Sequence, residues 1–167
     1  MISLIVTADK NWAISKDNKP LISIPDDIKY VKDITTDNVI IFGRHTFQNA
    51  FNGVVLPDRV TIIVTKDKSF NAKGAIIAAT PSQALEAAMA FRKNIFIAGG
   101  ERISAALLPF CDEVLLTHID YAYAADAFIP NLDKLPQWVL VNESEEQTHF
   151  DVIYHYKRYK KRTDFKI

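Results

Sequence analysis

One acidic residue falls where a helix should bury apolar side chains. At about 100° per residue, segment 23–34 gathers four aliphatic residues into one stripe: Ile24, Ile28, Val31 and Ile34. Asp27 lies about 45° from the centre of that stripe, whereas Asp26 points away from it and completes a Ser-x-x-Asp capping pattern with Ser23. Burial raises the pKa of an acid that has no cation beside it. Asp27 is therefore a candidate proton-transfer group or partner of an amidine-like ligand, unless it is an ordinary acid of a first helical turn.

Two predicted strand ends carry glycine followed at once by a helix. Gly99-Gly100 closes one strand, and Gly43 closes another just before Arg44-His45-Thr46. Bare backbone at a helix start suits a phosphate, because free N–H groups and the helix dipole face it. Arg44 adds a forked cation that fits a phosphate monoester. Tight-turn geometry would equally explain the glycine pair, and a solvated surface charge would explain Arg44.

A further cation, Arg59, follows Pro57-Asp58 and opens a predicted strand at the same edge of the sheet. Its guanidinium could hold a substrate carboxylate through two parallel hydrogen bonds. It could also pair with the neighbouring Asp58 at the surface. The sequence leaves both roles open.

Other site chemistries find no support in the residues. The histidines show no metal-ligand spacing, so we expect no metal site; they are His45, His118, His149 and His155. No Gly-x-Ser-x-Gly motif is present, and the lone Cys111 is expected in the core. Basic and acidic residues both number 20, so the net charge of zero indicates neither nucleic acid nor an anionic membrane as a partner. The basic run 157–162 is expected to be a solvated strand end.

The elements that must position these groups alternate between strands and helices. Strands are predicted at 2–8, 38–43, 60–65, 75–78, 95–98 and 114–118, of which 2–8, 38–43 and 95–98 are expected to be buried. Helices are predicted around Asp27, at 44–49, from the Thr80–Gln83 capping box to about Arg92, and at 101–108 before Pro109. Two alternating strands, 139–144 and 150–159, end the chain. We therefore predict an α/β fold: a single domain with a mostly parallel central sheet, flanking helices and an antiparallel C-terminal hairpin.

Three segments lack any periodicity. Segment 9–22 is predicted to be a long loop, and loops of this length are often functional lids. Segments 126–130 and 132–138 are predicted to be irregular. No strand is therefore predicted in 9–22 or 126–130.

Length and composition indicate one domain over residues 1–167, of which 49% are hydrophobic. The basic tail, 159–167, is expected to be disordered. A single cysteine excludes an internal disulfide and fits a reducing compartment. No signal peptide and no run of roughly 20 apolar residues is found. We expect a soluble cytoplasmic protein.

Several short motifs, taken together and in order, resemble dihydrofolate reductase. They are Ile24-Pro25-x-Asp27, Ile41-Phe42-Gly43-Arg44-x-Thr46, Leu56-Pro57-x-Arg59, Ile97-Ala98-Gly99-Gly100, and Leu115-Leu116-Thr117-x-Ile119 followed by Asp126-x-Phe128-x-Pro130. Each is modest alone, but their order and spacing hold from Met1 to about Tyr159. The resemblance implies reduction of 7,8-dihydrofolate to 5,6,7,8-tetrahydrofolate by hydride transfer from NADPH, in a monomeric enzyme.

The resemblance also implies roles for individual residues. Asp27 is the acid that binds the pterin and promotes protonation of its N5, Thr117 supports this acid, and Arg59 holds the carboxylate of the substrate's glutamate tail. The other substrate positions are Ile5, Ile28, Val31, Ala50 and Leu56. The phosphate positions are Gly43, Arg44, His45 and Thr46, and in a second loop Gly99, Gly100, Glu101, Arg102 and Ile103. The remaining cofactor positions are Thr65 and Lys66 at the adenine ribose and its 2′-phosphate, and Thr7, Ile14 and Ser15 beside the nicotinamide.

The sequence departs from the family pattern near the expected reaction centre. Ser15 replaces a usual glycine, Ile22 a usual tryptophan and Ser104 a usual tyrosine. Smaller departures are Pro20-Leu21, Val31, Ala98 and Ala125. These changes remove bulk and a water contact beside the hydride path, and they leave the acid, the tail arginine and the phosphate sites in place.

Two other functions stay open on the sequence alone. One is a fold relative that reduces another heterocycle, such as the ribosylamino-pyrimidine reductases of riboflavin synthesis. The other is a non-catalytic protein that binds NADPH or a pterin. Asp27 with Arg59 favours dihydrofolate over another heterocycle, because a pterin amidine and a glutamate tail are the features these two residues serve.

Overall fold

The computed structural model describes residues 1–163, in which strands and helices alternate along most of the chain. The strands are β1 (Ile2–Ala8), β2 (Ala13–Lys16), β3 (Lys19–Pro20), β4 (Val39–Gly43), β5 (Val60–Val64), β6 (Ala75–Ala78), β7 (Ile95–Ile97), β8 (Glu113–Ile119), β9 (Ala127–Phe128), β10 (Trp138–Glu143), β11 (Gln147–His149) and β12 (Val152–Lys161). The helices are α1 (Pro25–Ile34), α2 (Arg44–Ala50), α3 (Pro81–Met89) and α4 (Glu101–Leu107). Single 3₁₀ turns cover Leu108–Phe110 and Leu132–Lys134.

The central sheet has the strand order β10-β12-β8-β1-β7-β4-β5-β6, with β11 paired to β12. From β8 to β6 each strand is parallel to its neighbours, whereas β12 joins β8 and β10 in antiparallel pairs. The middle strands are almost wholly buried, as in Val39–Phe42 of β4, which is why they form continuous apolar runs in the sequence. The predicted α/β fold with a mostly parallel sheet and antiparallel C-terminal strands is confirmed.

The N-cap of helix α1 is one residue later than predicted, and the helix begins at Pro25. Ile24 occupies the N-cap position without a side-chain cap hydrogen bond, so the predicted Ser23 cap is wrong. The reason is Pro25, whose fixed φ and missing N–H suit the first helical position and start the helix there. The predicted cap of α3 is confirmed, since Thr80 Oγ1 accepts from Gln83 N at 3.1 Å.

Two predicted helix ends are too late. Helix α3 ends at Met89 and not near Arg92, which has a φ of 54°, outside the helical region. Helix α4 ends at Leu107, and Pro109 lies inside the 3₁₀ turn that follows. These errors are confined to the last turn of each helix and leave the element order unchanged.

Segments 9–22 and 126–130 contain short strands, so their prediction as irregular chain is wrong. They form a second sheet in the order β3-β2-β9. The wholly buried Asp9 fixes the turn into β2: its Oδ1 accepts from Asn11 N at 2.8 Å and Ala13 N at 2.9 Å, and its Oδ2 accepts from Tyr123 N at 2.9 Å. Strands of two to four residues are too short to show periodicity.

The predicted disordered tail is wrong for residues 159–161, which belong to β12. Tyr159 is buried, and its hydroxyl donates to Asp133 Oδ1 at 2.7 Å. Residues 164–167 of that predicted tail lie outside the described residues. In the basic run, Arg158 Nε donates to Glu113 Oε2 at 2.7 Å, so this charge pairs within the sheet and is not simply solvated. The predicted hairpin also lacked β11, which is a three-residue strand.

Cys111 lies in the core, as predicted from the sequence. It is wholly buried, and burial raises the pKa of its thiol to about 12. In residues 1–163, every helix is too short or too polar to cross a bilayer.

Candidate active site

A cavity of about 1480 Å³ opens beside the carboxyl ends of the central strands. Helix α1, helix α2 and the small sheet supply its other walls. Ligands of open α/β sheets bind at this end of the strands. Three of the site residues predicted from the sequence are absent from the wall, and these are Leu56, Arg59 and Thr117; all the others line it.

Asp27 reaches the cavity from the first turn of α1, and its carboxylate meets two strands of the sheet. Thr117 Oγ1 on β8 donates to Asp27 Oδ1 at 2.7 Å, and Thr7 Oγ1 on β1 donates to Asp27 Oδ2. Burial raises the pKa of Asp27, while the hydrogen bonds from Thr7 and Thr117 oppose that rise. Asp26 is exposed, so the prediction that Asp27 and not Asp26 faces inward is confirmed.

The Thr7 contact was missed by the sequence analysis, which placed Thr7 beside the nicotinamide. The contact depends on β1 lying next to β8 with Thr7 directly opposite Thr117. Strand order and register are long-range properties, and no local pattern around Thr7 encodes them. The structure therefore adds a second hydroxyl to the surroundings of Asp27.

The helix face around Asp27 is apolar but incompletely covered. Ile28 and Val31 are half-buried and line the cavity, and Ile5 of β1 lines it from the sheet. Helix α1 contains no fully buried residue, although its apolar stripe points inward. The stripe faces a cavity, so a flat apolar ligand would complete its burial.

Arg59 lies against the C-terminal end of α1. Its Nε donates to Pro57 O at 2.9 Å, and its Nη1 donates to Lys32 O and Thr35 Oγ1, both at 2.6 Å. Lys32 follows directly on Val31, which lines the cavity. The guanidinium thus stands close to the cavity without forming its wall, and its hydrogen bonds go to Pro57, Lys32 and Thr35 and not to Asp58, the alternative partner left open by the sequence.

Bare backbone forms the wall where β4 and β7 end. A Cβ on Gly43 would lie 2.9 Å from Ile103 Cδ1, and Cβ atoms on Gly99 and Gly100 would lie 3.5 Å and 3.6 Å from Thr46 Oγ1. Gly43 N donates to Gly99 O at 3.0 Å, which joins the two strand ends. Gly99 also has a φ of 108°, a conformation that favours glycine. The missing side chains leave space for a ligand against the backbone.

Arg44 follows Gly43 directly, and its side chain is held by an acidic and an aromatic residue. Its Nη1 lies 2.8 Å from Asp67 Oδ2, and its Cζ lies 5.7 Å from the centre of the Phe70 ring. Asp67 Oδ1 accepts from both Ser69 N and Ser69 Oγ, and these bonds together with Arg44 lower the pKa of Asp67. Thr65 and Lys66 line the same region. Asp67 and Phe70 were not predicted from the sequence, because their contacts with Arg44 join the start of α2 to the loop between β5 and β6.

The small sheet is tied to both sides of the cavity. Asp126 Oδ2 accepts from Asp17 N at 3.1 Å, and Asn49 Nδ2 of α2 donates to Asn18 O at 2.8 Å. Glu101 Oε2, at the start of α4, accepts from Phe128 N at 2.6 Å. Ile14 and Ser15 of β2 thereby line the cavity opposite α1.

The departures from the family pattern have visible consequences. Ser104 is buried, and its hydroxyl has no hydrogen-bond partner among residues 1–163. Ile22 packs against the cluster of Ile24, Ile119 and Tyr154. Position 22 therefore makes an apolar contact without an aromatic ring, whereas the Ser104 hydroxyl is left without a partner among residues 1–163.

Comparisons with known proteins agree on one family. The family model described as dihydrofolate reductase matches residues 1–161. A dihydrofolate reductase of Staphylococcus haemolyticus is 37% identical over 161 residues, covering 92% of this chain and 93% of its own. One of Bacillus subtilis (strain 168) is 30% identical over 170 residues, covering 99% and 98%. Among solved structures, dihydrofolate reductase from Enterococcus faecalis complexed with NADP(H) and RAB-propyl has a TM-score of 0.85 at 25% identity, covering 97% and 96%.

The fold and the site define an α/β protein with a ligand-sized cavity at the carboxyl edge of its sheet. The chain belongs to the dihydrofolate reductase family. Its activity is the NADPH-dependent reduction of dihydrofolate. The family resemblance seen in the sequence motifs is confirmed, and the comparisons favour this activity over reduction of another heterocycle.

The close approach of Gly43 to Ile103 can be tested by substitution. In Gly43→Ala the new methyl group must displace Ile103, so we expect a loss of about 1–3 kcal/mol in the free energy of unfolding and weaker NADPH binding. Urea unfolding and a fluorescence titration with NADPH measure the two effects.

The matched variant is Ile103→Val, which removes the Cδ1 atom that the new methyl group would meet. Alone it should cost about 0.5–1.5 kcal/mol. In the double variant the two losses should be clearly less than additive, because the valine makes room for the alanine. Strict additivity would show that this contact does not limit position 43.

Proposed function

We propose that Asp27 is the acid that binds the pterin and promotes protonation of its N5. The observation that carries this assignment is a half-buried carboxylate at the cavity wall that accepts hydrogen bonds from Thr117 and Thr7 and has a raised pKa. A carboxyl group with a raised pKa exchanges protons nearer to neutral pH than an exposed one. Thr117 acts behind Asp27, since it touches the acid and does not line the cavity.

The apolar wall beside Asp27 is assigned to the rest of the substrate. Ile5, Ile28, Val31 and Ala50 line the cavity, and their surfaces fit the flat pterin and aminobenzoyl groups. Leu56 is half-buried behind this wall. In this proposal Arg59 binds the carboxylate of the glutamate tail with Nη2, because its Nε and Nη1 already donate to the protein.

The cofactor is assigned to the opposite half of the cavity. Gly43, Gly99 and Gly100 leave backbone room for the pyrophosphate, flanked by Thr46, Glu101, Arg102 and Ile103. Arg44, His45, Thr65 and Lys66 surround the region assigned to the adenine ribose and its 2′-phosphate. Thr7, Ile14 and Ser15 stand where the nicotinamide is expected. When bound, NADPH supplies the hydride that the reduction requires.

The protein's own residues orient the substrate and handle the proton. Ionised Asp27 accepts hydrogen bonds from the pterin amidine and so fixes the face that the ring presents to the cofactor half of the cavity. Its charge favours a proton on N5 as the double bond is reduced. The small sheet lines the cavity from the other side.

The remaining parts of the proposal concern partners. We propose a monomer that acts in the cytoplasm and binds no nucleic acid. A formal net charge of zero gives no general attraction for a polyanion. A single buried cysteine fits a reducing compartment.

Replacement of the proposed acid tests its role. In Asp27→Asn the rate at neutral pH should fall by two or more orders of magnitude, about the contribution of a general acid, and should recover partly as the solution is acidified. The rate is followed as NADPH absorbance with dihydrofolate present and then absent. The control is Asp26→Asn, which changes the exposed neighbour on the same helical turn and should keep the rate. A near-normal rate for Asp27→Asn would show that another group handles the proton.

Arg44 is tested through the choice of cofactor. Arg44→Ala should raise the KM for NADPH far more than the KM for NADH, because only NADPH carries the 2′-phosphate. Lys93→Ala is the control, since this lysine is exposed and lies away from the cavity wall. Equal effects on the two cofactors would place the 2′-phosphate elsewhere.

A further inference from the structure

Two threonines on neighbouring strands bracket the Asp27 carboxylate. Thr7 of β1 and Thr117 of β8 are opposite each other in the parallel register, so their side chains project from the same face of the sheet. Each hydroxyl donates to a different carboxylate oxygen, Thr7 to Oδ2 and Thr117 to Oδ1. The pair forms a two-point support under a single acid.

We propose that Thr7 is a positioning residue for Asp27, which together with Thr117 fixes the plane of the carboxylate and holds it in the ionised form. The proposal rests on the function proposed for Asp27 and goes beyond it. The family resemblance placed Thr7 only beside the nicotinamide. The hydrogen bond adds a role directed at the pterin half of the cavity.

The number of acceptor positions on the carboxylate shows what the support does. An ionised carboxylate has about four lone-pair sites, two on each oxygen. Thr7 and Thr117 occupy one site on each oxygen, which leaves one site on each oxygen for a ligand. A ligand that offers two neighbouring N–H donors in one plane, such as an amidine or a 2-aminopyrimidine, matches this pair of sites. With one threonine missing, the carboxylate could rotate about its Cβ–Cγ bond.

The chemistry of threonine suits this task. Its branched Cβ restricts χ1, so a threonine in a strand holds its hydroxyl in few directions. A carboxylate can only accept, so Thr7 must donate its proton while Asp27 is ionised. Both threonines are largely shielded from solvent, with Thr117 buried and Thr7 half-buried. The two hydroxyls therefore stabilise the charge that burial disfavours.

The other ionisable groups near Asp27 do not replace this effect. Tyr30 of α1 and Tyr156 of β12 have raised pKa values because of burial, so both stay neutral while Asp27 titrates. Asp26 is exposed on the same helix. On the same face of β8, Glu113 is paired with Arg158, and His118 points to the opposite face, where it meets Lys157. No cation among these groups contacts the Asp27 carboxylate, so its charge depends on hydroxyl donors.

Two variants separate the hydroxyl from the shape of residue 7. Thr7→Val keeps the size and branching but removes the donor, and Thr7→Ser keeps the donor but removes the methyl group. Carbon-13 NMR of labelled aspartate carboxyl groups follows the titration of Asp27 in the ligand-free enzyme, and the signal is assigned by its absence from Asp27→Asn. Thr117→Val is the comparison for the second hydroxyl.

In Thr7→Val the pKa of Asp27 should rise by about one unit, the scale of a hydrogen bond to a charged group, and in Thr7→Ser it should stay at the wild-type value. The sign follows because loss of a donor to the carboxylate favours the protonated acid. The pH midpoint of single-turnover hydride transfer should move upward by a similar amount in Thr7→Val. Thr117→Val should move the pKa in the same direction.

An unchanged Asp27 pKa in Thr7→Val would overturn the proposal, and so would an equal rise in Thr7→Ser, which would assign the effect to packing. The carboxyl titration does not depend on turnover. If Asp27→Asn were fully active, the proposed function of Asp27 would fail, while the titration would still decide whether Thr7 holds the carboxylate. Thermal unfolding of each variant checks that the fold is retained.

Discussion

The structure of the site depends on keeping one carboxylate against the face of a sheet, where it is partly removed from solvent at the cavity wall. Burial raises the pKa of Asp27, so the folded chain carries an acid whose ionised form is unfavourable in its surroundings. The hydroxyls of Thr7 and Thr117 offset part of that cost, and they can do so only because β1 and β8 are adjacent and in register. The parallel sheet is thus a requirement for the acid as well as a scaffold. Strand order β8-β1 is what brings both donors to one side chain.

Helix α1 is incompletely packed because it must present Asp27 to the cavity. Ile28 and Val31 of its apolar stripe face the cavity and stay half-buried, so the helix gains less from packing than an ordinary core helix. Two contacts compensate at its ends: Ile24 is buried in a cluster with Ile119 and Tyr154, and Arg59 bonds the backbone of the last turn. The helix is fixed at both ends while its middle remains available to a ligand.

The small sheet forms one wall of the cavity, and carboxylates within it and beside it accept its backbone N–H groups. Asp9 accepts three backbone N–H groups at the base of β2, and Asp126 and Glu101 accept one each where the sheet meets the cavity. Carboxylate acceptors in these positions satisfy backbone donors that a two-stranded or three-stranded ribbon leaves unpaired. The small sheet is thereby linked to the start of α4, where Glu101 also lines the cavity.

The order of the long strands and helices could be predicted from periodicity, because buried parallel strands and an amphipathic helix give strong local patterns. The inward face of Asp27 followed from helix geometry alone. The strands of the small sheet could not be predicted, since two to four residues carry no period. The hydroxyl of Thr7, the ion pair of Arg44 with Asp67 and the contacts of Arg59 all join elements that are distant in sequence. Such contacts depend on strand order and loop packing, which no local pattern contains.

The energetic cost of Asp27 can be measured directly from the pH dependence of the free energy of unfolding in the wild-type protein and Asp27→Asn. When folding raises the pKa of a carboxyl group, the free energy of unfolding of the protein falls as pH rises from the pKa of the unfolded state through the pKa of the folded state. The free energies of unfolding of the two proteins should therefore differ least below about pH 4, near the pKa of aspartate in an unfolded chain. As pH rises toward neutrality, Asp27→Asn should become increasingly the more stable of the two. A wild-type protein that gains stability relative to Asp27→Asn over this range would contradict the account, because the hydroxyls would then outweigh burial.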